Sequence, residues 1–216
     1  MFSNGMNGEK SCLEEGIRRK PTGKPLRIQK KLKAKLHELM RSASRNLRLV
    51  HYDEAGFGRI NKPRYCWRKK GTRPCVPCHH IREYRYAFGA VEPLTGESFF
   101  LIFSHCDTVC VNVYLKELSK AYPDDIILLC CDNAGWHKSK GLKIPDNIVM
   151  FYLPPYTPEM NPVEQIWKEL RKRGFCNEVF PTLKKVIDRL CDVICSFTKD
   201  TIRSITARKW IIQCFS

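Results

Sequence analysis

The sequence predicts an α/β fold, a mixed five-stranded sheet flanked by helices. Three observations carry it. Three candidate strands, beginning at Leu47, Arg82 and Glu97, follow one another with no helix between them. Residues 126–131, Ile-Ile-Leu-Leu-Cys-Cys, are apolar at every position, as expected of a central strand buried on both faces. Downstream, strand and helix patterns alternate, which places helices on the faces of the sheet. A chain of 216 residues is long enough for one such core, or for one domain plus an arm.

Residues 1–46 read as a basic N-terminal arm or linker, and residues 47–216 as the folded domain. The first 50 residues carry 13 Lys and Arg against 4 Asp and Glu. Pro21, Gly23 and Pro25 break the first half of the arm. Residues 29–45 suit a basic helix with Leu32, Leu36, Leu39 and Met40 on one face, too little apolar surface to fold alone.

From Leu47 the pattern alternates as in a strand, and a loop rich in Lys, Arg, Pro and Gly follows over residues 58–80. Residues 82–91 and 97–103 read as strands joined by the turn Pro93-Leu-Thr-Gly96. Residues 108–121 suit a helix with Val109, Val113, Leu115 and Leu118 as its apolar positions. Residues 148–153 form the fifth strand, and Pro154-Pro-Tyr-Thr-Pro158 forces an extended loop. Two helices close the chain, over residues 161–173 and 182–197. The second carries an apolar stripe from Leu183 to Phe197 that suits covering the sheet better than a homodimer contact.

The formal net charge of +16 points to a polyanionic partner, with nucleic acid the default and an anionic membrane surface the rival. No apolar run approaches the roughly 20 residues that span a bilayer, and residues 1–8 lack the pattern of a secretory signal. The expectation is a soluble intracellular (cytoplasmic) protein. The twelve cysteines are scattered, and Cys130, Cys131, Cys191 and Cys195 lie in apolar contexts, so most read as reduced core residues.

Three acids stand in settings that phosphodiester chemistry needs. Asp132 directly follows the buried run, at the carboxyl end of a strand where open α/β sheets place their ligands. Asp53 and Glu54 face opposite sides of the first strand. Asp53 shares the face of Leu47, Leu49 and His51, so it is the one chosen to join Asp132. Glu164 opens a helix. It is also the third residue of a capping box begun by Asn161 and Pro162, and Lys168 stands at i+4. Mg²⁺ takes oxygen ligands and needs only one or two protein carboxylates beside substrate phosphates. Taken singly, each acid has an ordinary explanation; the three together, in this order, carry the signal.

At these residues the chain resembles the catalytic domain of DDE transposases, in the branch that joins mariner-type elements with bacterial insertion sequences. The matching stretches are His51-Tyr-Asp-Glu-Ala-Gly-Phe57, Lys70-Gly-Thr-Arg-Pro74, Cys131-Asp-Asn-Ala-Gly-Trp-His137 and Leu153-Pro-Pro-Tyr-Thr-Pro-Glu-Met-Asn-Pro-Val-Glu-Gln-Ile-Trp167. The resemblance covers about residues 47–175. It implies a ribonuclease H-like fold, with Asp53, Asp132 and Glu164 as catalytic and metal-binding triad for two Mg²⁺ or Mn²⁺ ions. Asn133, His137 and Asn161 would be supporting residues. It also implies DNA strand cleavage at a transposon end and transfer of the freed 3′ hydroxyl to target DNA. Family members carry helix-turn-helix modules ahead of this domain. The expectation is that those modules are missing here, or are supplied as a separate product. The alternatives are an inactive, non-specific DNA-binding remnant, or a ribonuclease H-like nuclease acting on another nucleic acid.

Residues 58–85 supply Arg59, Lys62, Arg64, Arg68, Lys69, Lys70 and Arg73, interleaved with Tyr65, Trp67 and Tyr84, and read as a DNA-contacting hairpin. Cys75-Val-Pro-Cys78-His79-His80 has the spacing of half a zinc site, with Cys66 nearby. No second paired motif completes it, so incidental thiols on a basic hairpin are preferred. Trp136 and Trp167 flank two of the acids and read as packing residues.

Overall fold

A computed structural model describes residues 23–42, 45–60, 64, 67, 69–71, 75–78, 80–155 and 157–215. In chain order these form helix α1 (Gly23–Ser42), strands β1 (Asn46–Gly58), β2 (Tyr84–Val91) and β3 (Ser98–Phe103), and helix α2 (Thr108–Ala121). Strands β4 (Asp125–Cys131) and β5 (Ile148–Tyr152) follow, then helices α3 (Val163–Gly174), α4 (Leu183–Cys195), α5 (Lys199–Thr206) and α6 (Lys209–Ile212). The sheet order is β3-β2-β1-β4-β5, an open ribonuclease H-like arrangement. β1 pairs antiparallel with β2 and parallel with β4, so the sheet is mixed, with β1 at its centre.

Strand alternation divides the sheet into two packed faces. Leu49, Ala55 and Phe57 of β1 face one side, where α1 covers Leu49 and α3, α4 and α5 supply Ile166, Trp167, Val186, Leu190 and Ile202 against Ala55 and Phe57. Val50 and Tyr52 face the other side, against Val111, Tyr114, Leu115 and Leu118 of α2. The expected apolar positions on α2 are thereby corrected. Its buried stripe runs i, i+3, i+4, i+7 from Val111, while Val109 and Val113 lie on the opposite side and are exposed.

The basic helix starts earlier than expected, at Gly23. Pro25 falls in its first turn, where a missing backbone N–H costs nothing. Leu32 and Leu36 are fully buried against Leu49, Leu128 and Cys130, so α1 is packed on the sheet. Met40 is exposed rather than aligned with them. Successive i+4 positions drift by about 40°, which carries it off the contact face.

Two short helices, α5 and α6, were not anticipated. α6 closes over the first half of α1, where the Gln29 side chain donates to the Trp210 carbonyl oxygen at 3.2 Å. The stripe on α4 covers the sheet: Val186, Leu190, Val193 and Phe197 are buried against α3 and the strands. Cys130 and Cys131 are buried free thiols, but Cys191 and Cys195 are exposed on the outer side of α4. Among the described residues no helix is long and apolar enough to cross a membrane.

Candidate active site

The parallel register that pairs His51 with Cys130 brings Asp53 level with Asp132 two residues further on. Asp132 then lies just past the end of β4 and Asp53 within the longer β1 beside it. Asp53, Asp132 and Glu164 line one cavity of about 380 Å³ together with Asn133, Asn161 and residues 153–155 and 157.

Each acid is held differently. Asp53 is partly buried, and its Oδ2 accepts a hydrogen bond from the Trp167 indole at 3.0 Å. Burial pushes its carboxyl up to about 8, reinforced by the negative charges of Glu54 and Glu164 and opposed by the Trp167 bond. Asp132 stands more open. Its Oδ1 accepts from the backbone N–H of Ala134 at 2.9 Å and lies 3.0 Å from His137 Nδ1. The His137 bond holds its carboxyl below the usual range.

Glu164 lies in the first turn of α3, and the expected capping box does not form. Asn161 turns its Oδ1 to the Val163 N–H at 3.3 Å, but among the described residues the Glu164 carboxylate takes no hydrogen bond and faces the cavity. Asn161 also donates through Nδ2 to the Tyr52 carbonyl oxygen at 3.0 Å, tying the start of α3 to β1. Asn133 donates to the Leu153 carbonyl oxygen and so ties the end of β4 to the cavity rim.

Glu54 points to the opposite face of β1, as strand alternation requires. It is not idle there. His137 is fully buried, with Nδ1 on Asp132 and Nε2 2.8 Å from Glu54 Oε1. Burial opposes the imidazole's charge, but bonds to Asp132, Cys131 and Glu54 outweigh it and push the group up to about 12. Trp136 also donates to Glu54, at 3.3 Å. Both tryptophans read as packing residues thus hold carboxylates as well.

One cation near the acids was missed. Arg171 lies two turns beyond Glu164 on α3, with its guanidinium 4.8 Å from the centre of the Phe57 ring. It lies within the electrostatic reach of both Glu164 and Asp53. The i+7 spacing from Glu164 was the available signal.

The expected DNA-contacting residues divide. Arg64, Lys69 and Lys70 are exposed. Arg59 is committed within the fold, to the Phe180 carbonyl oxygen at 3.0 Å and to Glu83 at 2.8 Å. Lys62, Arg68 and Arg73 lie outside the described residues, as do Cys66 and His79. Cys75 and Cys78 are exposed free thiols. Among the described residues no three His, Cys, Asp or Glu side chains stand close enough to enclose a metal ion, at the cysteines or at the acids as oriented here. The donor set at the acids is nevertheless all oxygen, and Asp132 Oδ2 takes no hydrogen bond among the described residues.

Comparison with known proteins places this arrangement. "Uncharacterized protein y4pE/y4sA" of Sinorhizobium fredii is 35% identical over 130 residues, which is 59% of this chain and 96% of that protein. The pre-cleavage Mos1 transpososome superposes with a TM-score of 0.65 at 13% identity, over 96% of this chain and 66% of the Mos1 chain. The catalytic domain of Mos1 mariner transposase gives 0.56 at 13% identity, over 88% of this chain and 91% of that one. At such identity the likeness is one of fold, and the chain spans about two thirds of the longer Mos1 chains. Residues 48–187 match the family described as DDE superfamily endonuclease, a stretch that begins in β1, ends in α4 and contains all three cavity acids. The chain belongs to the DDE superfamily endonuclease family.

Proposed function

We propose that this domain cuts DNA at a transposon end and transfers the freed 3′ hydroxyl to target DNA, using Mg²⁺ or Mn²⁺ held by Asp53, Asp132 and Glu164. The observation that carries the reading is the cavity these three acids share, two from adjacent parallel strands and one from the helix laid across them. Burial is the first cause of the raised Asp53 carboxyl; the negative charges of Glu54 and Glu164 that add to it are what divalent cations would relieve, and carboxylate oxygens are the ligands such ions prefer. Ions held by Asp53, Asp132 and Glu164 would supply Lewis-acid activation of the attacking group and neutralise charge on the leaving oxygen.

The chain's own residues do the rest. Trp167 fixes the Asp53 carboxyl, and Asn161 fixes the start of α3 against β1, so Glu164 and Asp53 keep their relative positions. Arg171 stands on the same helix as Glu164, oriented by the Phe57 ring and the Gly56 carbonyl oxygen, where it would meet the phosphate backbone of DNA entering the cavity. Arg64, Lys69 and Lys70 extend the contact. The Mos1 structures include complexes described as paired-end, and pairing of two copies on two ends is part of this proposal.

The test is nicking of a supplied transposon end in Mg²⁺ or Mn²⁺. Asp132→Asn and Glu164→Gln should each abolish nicking and leave DNA binding intact. Retention of metal-dependent nicking by either variant sinks the assignment. A folded parent chain that binds DNA yet neither cuts nor takes up Mn²⁺ would be a non-catalytic remnant. Cleavage of RNA in place of DNA would make it a nuclease of the same chemistry.

A further inference from the structure

The acid that strand alternation turned away from the cavity lies at the end of a hydrogen-bonded chain leading back to it. Glu54 is buried on the α2 side of β1, its side chain 5% exposed. A buried carboxylate is costly unless fully bonded. Here Oε1 accepts from the Tyr52 hydroxyl at 2.6 Å, from the Trp136 indole at 3.3 Å and from His137 Nε2 at 2.8 Å. His137 comes from the 3₁₀ turn Gly135–Lys138, which follows β4, and its other nitrogen meets Asp132 Oδ1 at 3.0 Å. The turn is held in turn by the Tyr152 hydroxyl, which donates to the His137 carbonyl oxygen at 2.9 Å. An imidazole whose two nitrogens both face carboxylate oxygens cannot rotate without losing both.

We infer that Glu54 is a positioning residue for Asp132, acting through His137 to fix which carboxylate oxygen Asp132 offers to a divalent cation. His137 and the Ala134 N–H both occupy Oδ1, which leaves Oδ2 for the ion. The contact of His137 Nε2 with Glu54 Oε1 anchors the far side of the ring, so Nδ1 stays on Asp132 Oδ1. Glu54→Gln replaces a bond to a carboxylate by a neutral one about half as strong, so the ring, and the Asp132 carboxylate it orients, are held less firmly. Asp132 then becomes a poorer ligand. This rests on the reading of Asp132 as a metal ligand. A plain structural ion pair predicts something different, a loss of stability with no change in metal affinity.

The experiment measures Mn²⁺ affinity of the full chain by calorimetry, with the unfolding midpoint of the metal-free chain recorded in parallel. Outer partners of metal ligands are typically worth 10–100-fold in affinity, so Glu54→Gln should weaken Mn²⁺ binding about tenfold or more. Tyr52→Phe removes a different bond to the same Oε1 and should cost stability while leaving affinity within about twofold of the parent, well below that range. In a His137→Asn background Glu54→Gln should have no further effect, because the chain is already cut. Unchanged affinity in Glu54→Gln overturns the inference. So does equal loss in Tyr52→Phe, or an undiminished loss in the His137→Asn background. Should Glu54→Gln fail to fold, Glu54→Asp keeps the charge and shortens the reach by one methylene. Partial loss of affinity then supports the inference, and no loss overturns it. Failure of the folded parent chain to bind Mn²⁺ refutes the metal reading of Asp132 itself and removes the basis for this one.

Discussion

Asp53 concentrates the tension in the site. Its carboxyl is pushed up to about 8 first by burial and then by Glu54 and Glu164, against an ordinary value near 4. Between those two values the folded chain holds a proton that the unfolded chain has released. Stability of the metal-free chain therefore falls as pH rises from about 4 toward 8. Asn is nearly isosteric with Asp and can still accept the Trp167 bond, so Asp53→Asn should remove that slope below about pH 6.5, above which the raised His137 adds a fall of its own in both chains. At pH 8 the variant should melt several degrees above the parent, with each ~1 kcal/mol recovered worth about 2–4 °C in a chain of this size. At pH 4 the two should melt together. Thermal scans across this range without metal check it, and a parent whose midpoint is flat from pH 5 to 8 contradicts it. The choice of Asp53 over Glu54 for the cavity was legible, because alternation along a strand is a local rule. The Trp167–Asp53 bond was not, because it joins residues 114 apart in sequence and depends on how α3 lies across the sheet.

At the scale of elements, that same crossing rests on a glycine. Gly89 of β2 is the residue paired with Asp53 across the β1–β2 ladder. A methyl group there would lie 2.6 Å from Trp167 Cη2 and 2.5 Å from the Phe100 ring. The absence of a side chain lets the indole sit flat enough on the sheet to reach Asp53. Gly89→Ala should therefore displace Trp167 and loosen α3. A stability loss of about 1–3 kcal/mol is expected from overpacking, together with a larger fall in nicking than in DNA binding. Melting and cleavage assays on the variant decide it. Wild-type nicking with an unshifted midpoint would show that α3 does not depend on this contact. The five strands and four long helices could be read from apolar patterning, β4 as an unbroken apolar run rather than an alternation. α5 and α6 could not, since 8 and 4 residues are too few to show a period. The missing capping box at Glu164 has a similar cause. Asn161 and Glu164 have the right spacing, but tertiary contacts with Tyr52 and the cavity claim the chain around them.

Across the whole molecule, the net charge is +16, and two groups of exposed cations stand out among the described residues. One is the exposed Arg64, Lys69 and Lys70 segment. The other is the outer side of α1, where Arg27, Lys30, Lys31 and Arg41 are exposed and Glu38 is paired with Lys35 at 2.7 Å. The packing of Leu32 and Leu36 turns those cations outward, and Ile28 seats the first half of the helix beside Leu153, which lines the cavity. A duplex led into the cavity would therefore run past α1. Each phosphate neutralised by a cation releases counterions and steepens the salt dependence of binding by about 0.9 in the log–log slope. Lys30→Gln combined with Lys31→Gln should make the slope for duplex DNA shallower by about 2, to a similar degree for any sequence, because phosphate contacts carry no base information. Binding isotherms at several salt concentrations measure it. A slope unchanged in the double variant, but reduced by Lys70→Gln, would put the DNA path along the 64–70 segment and away from α1.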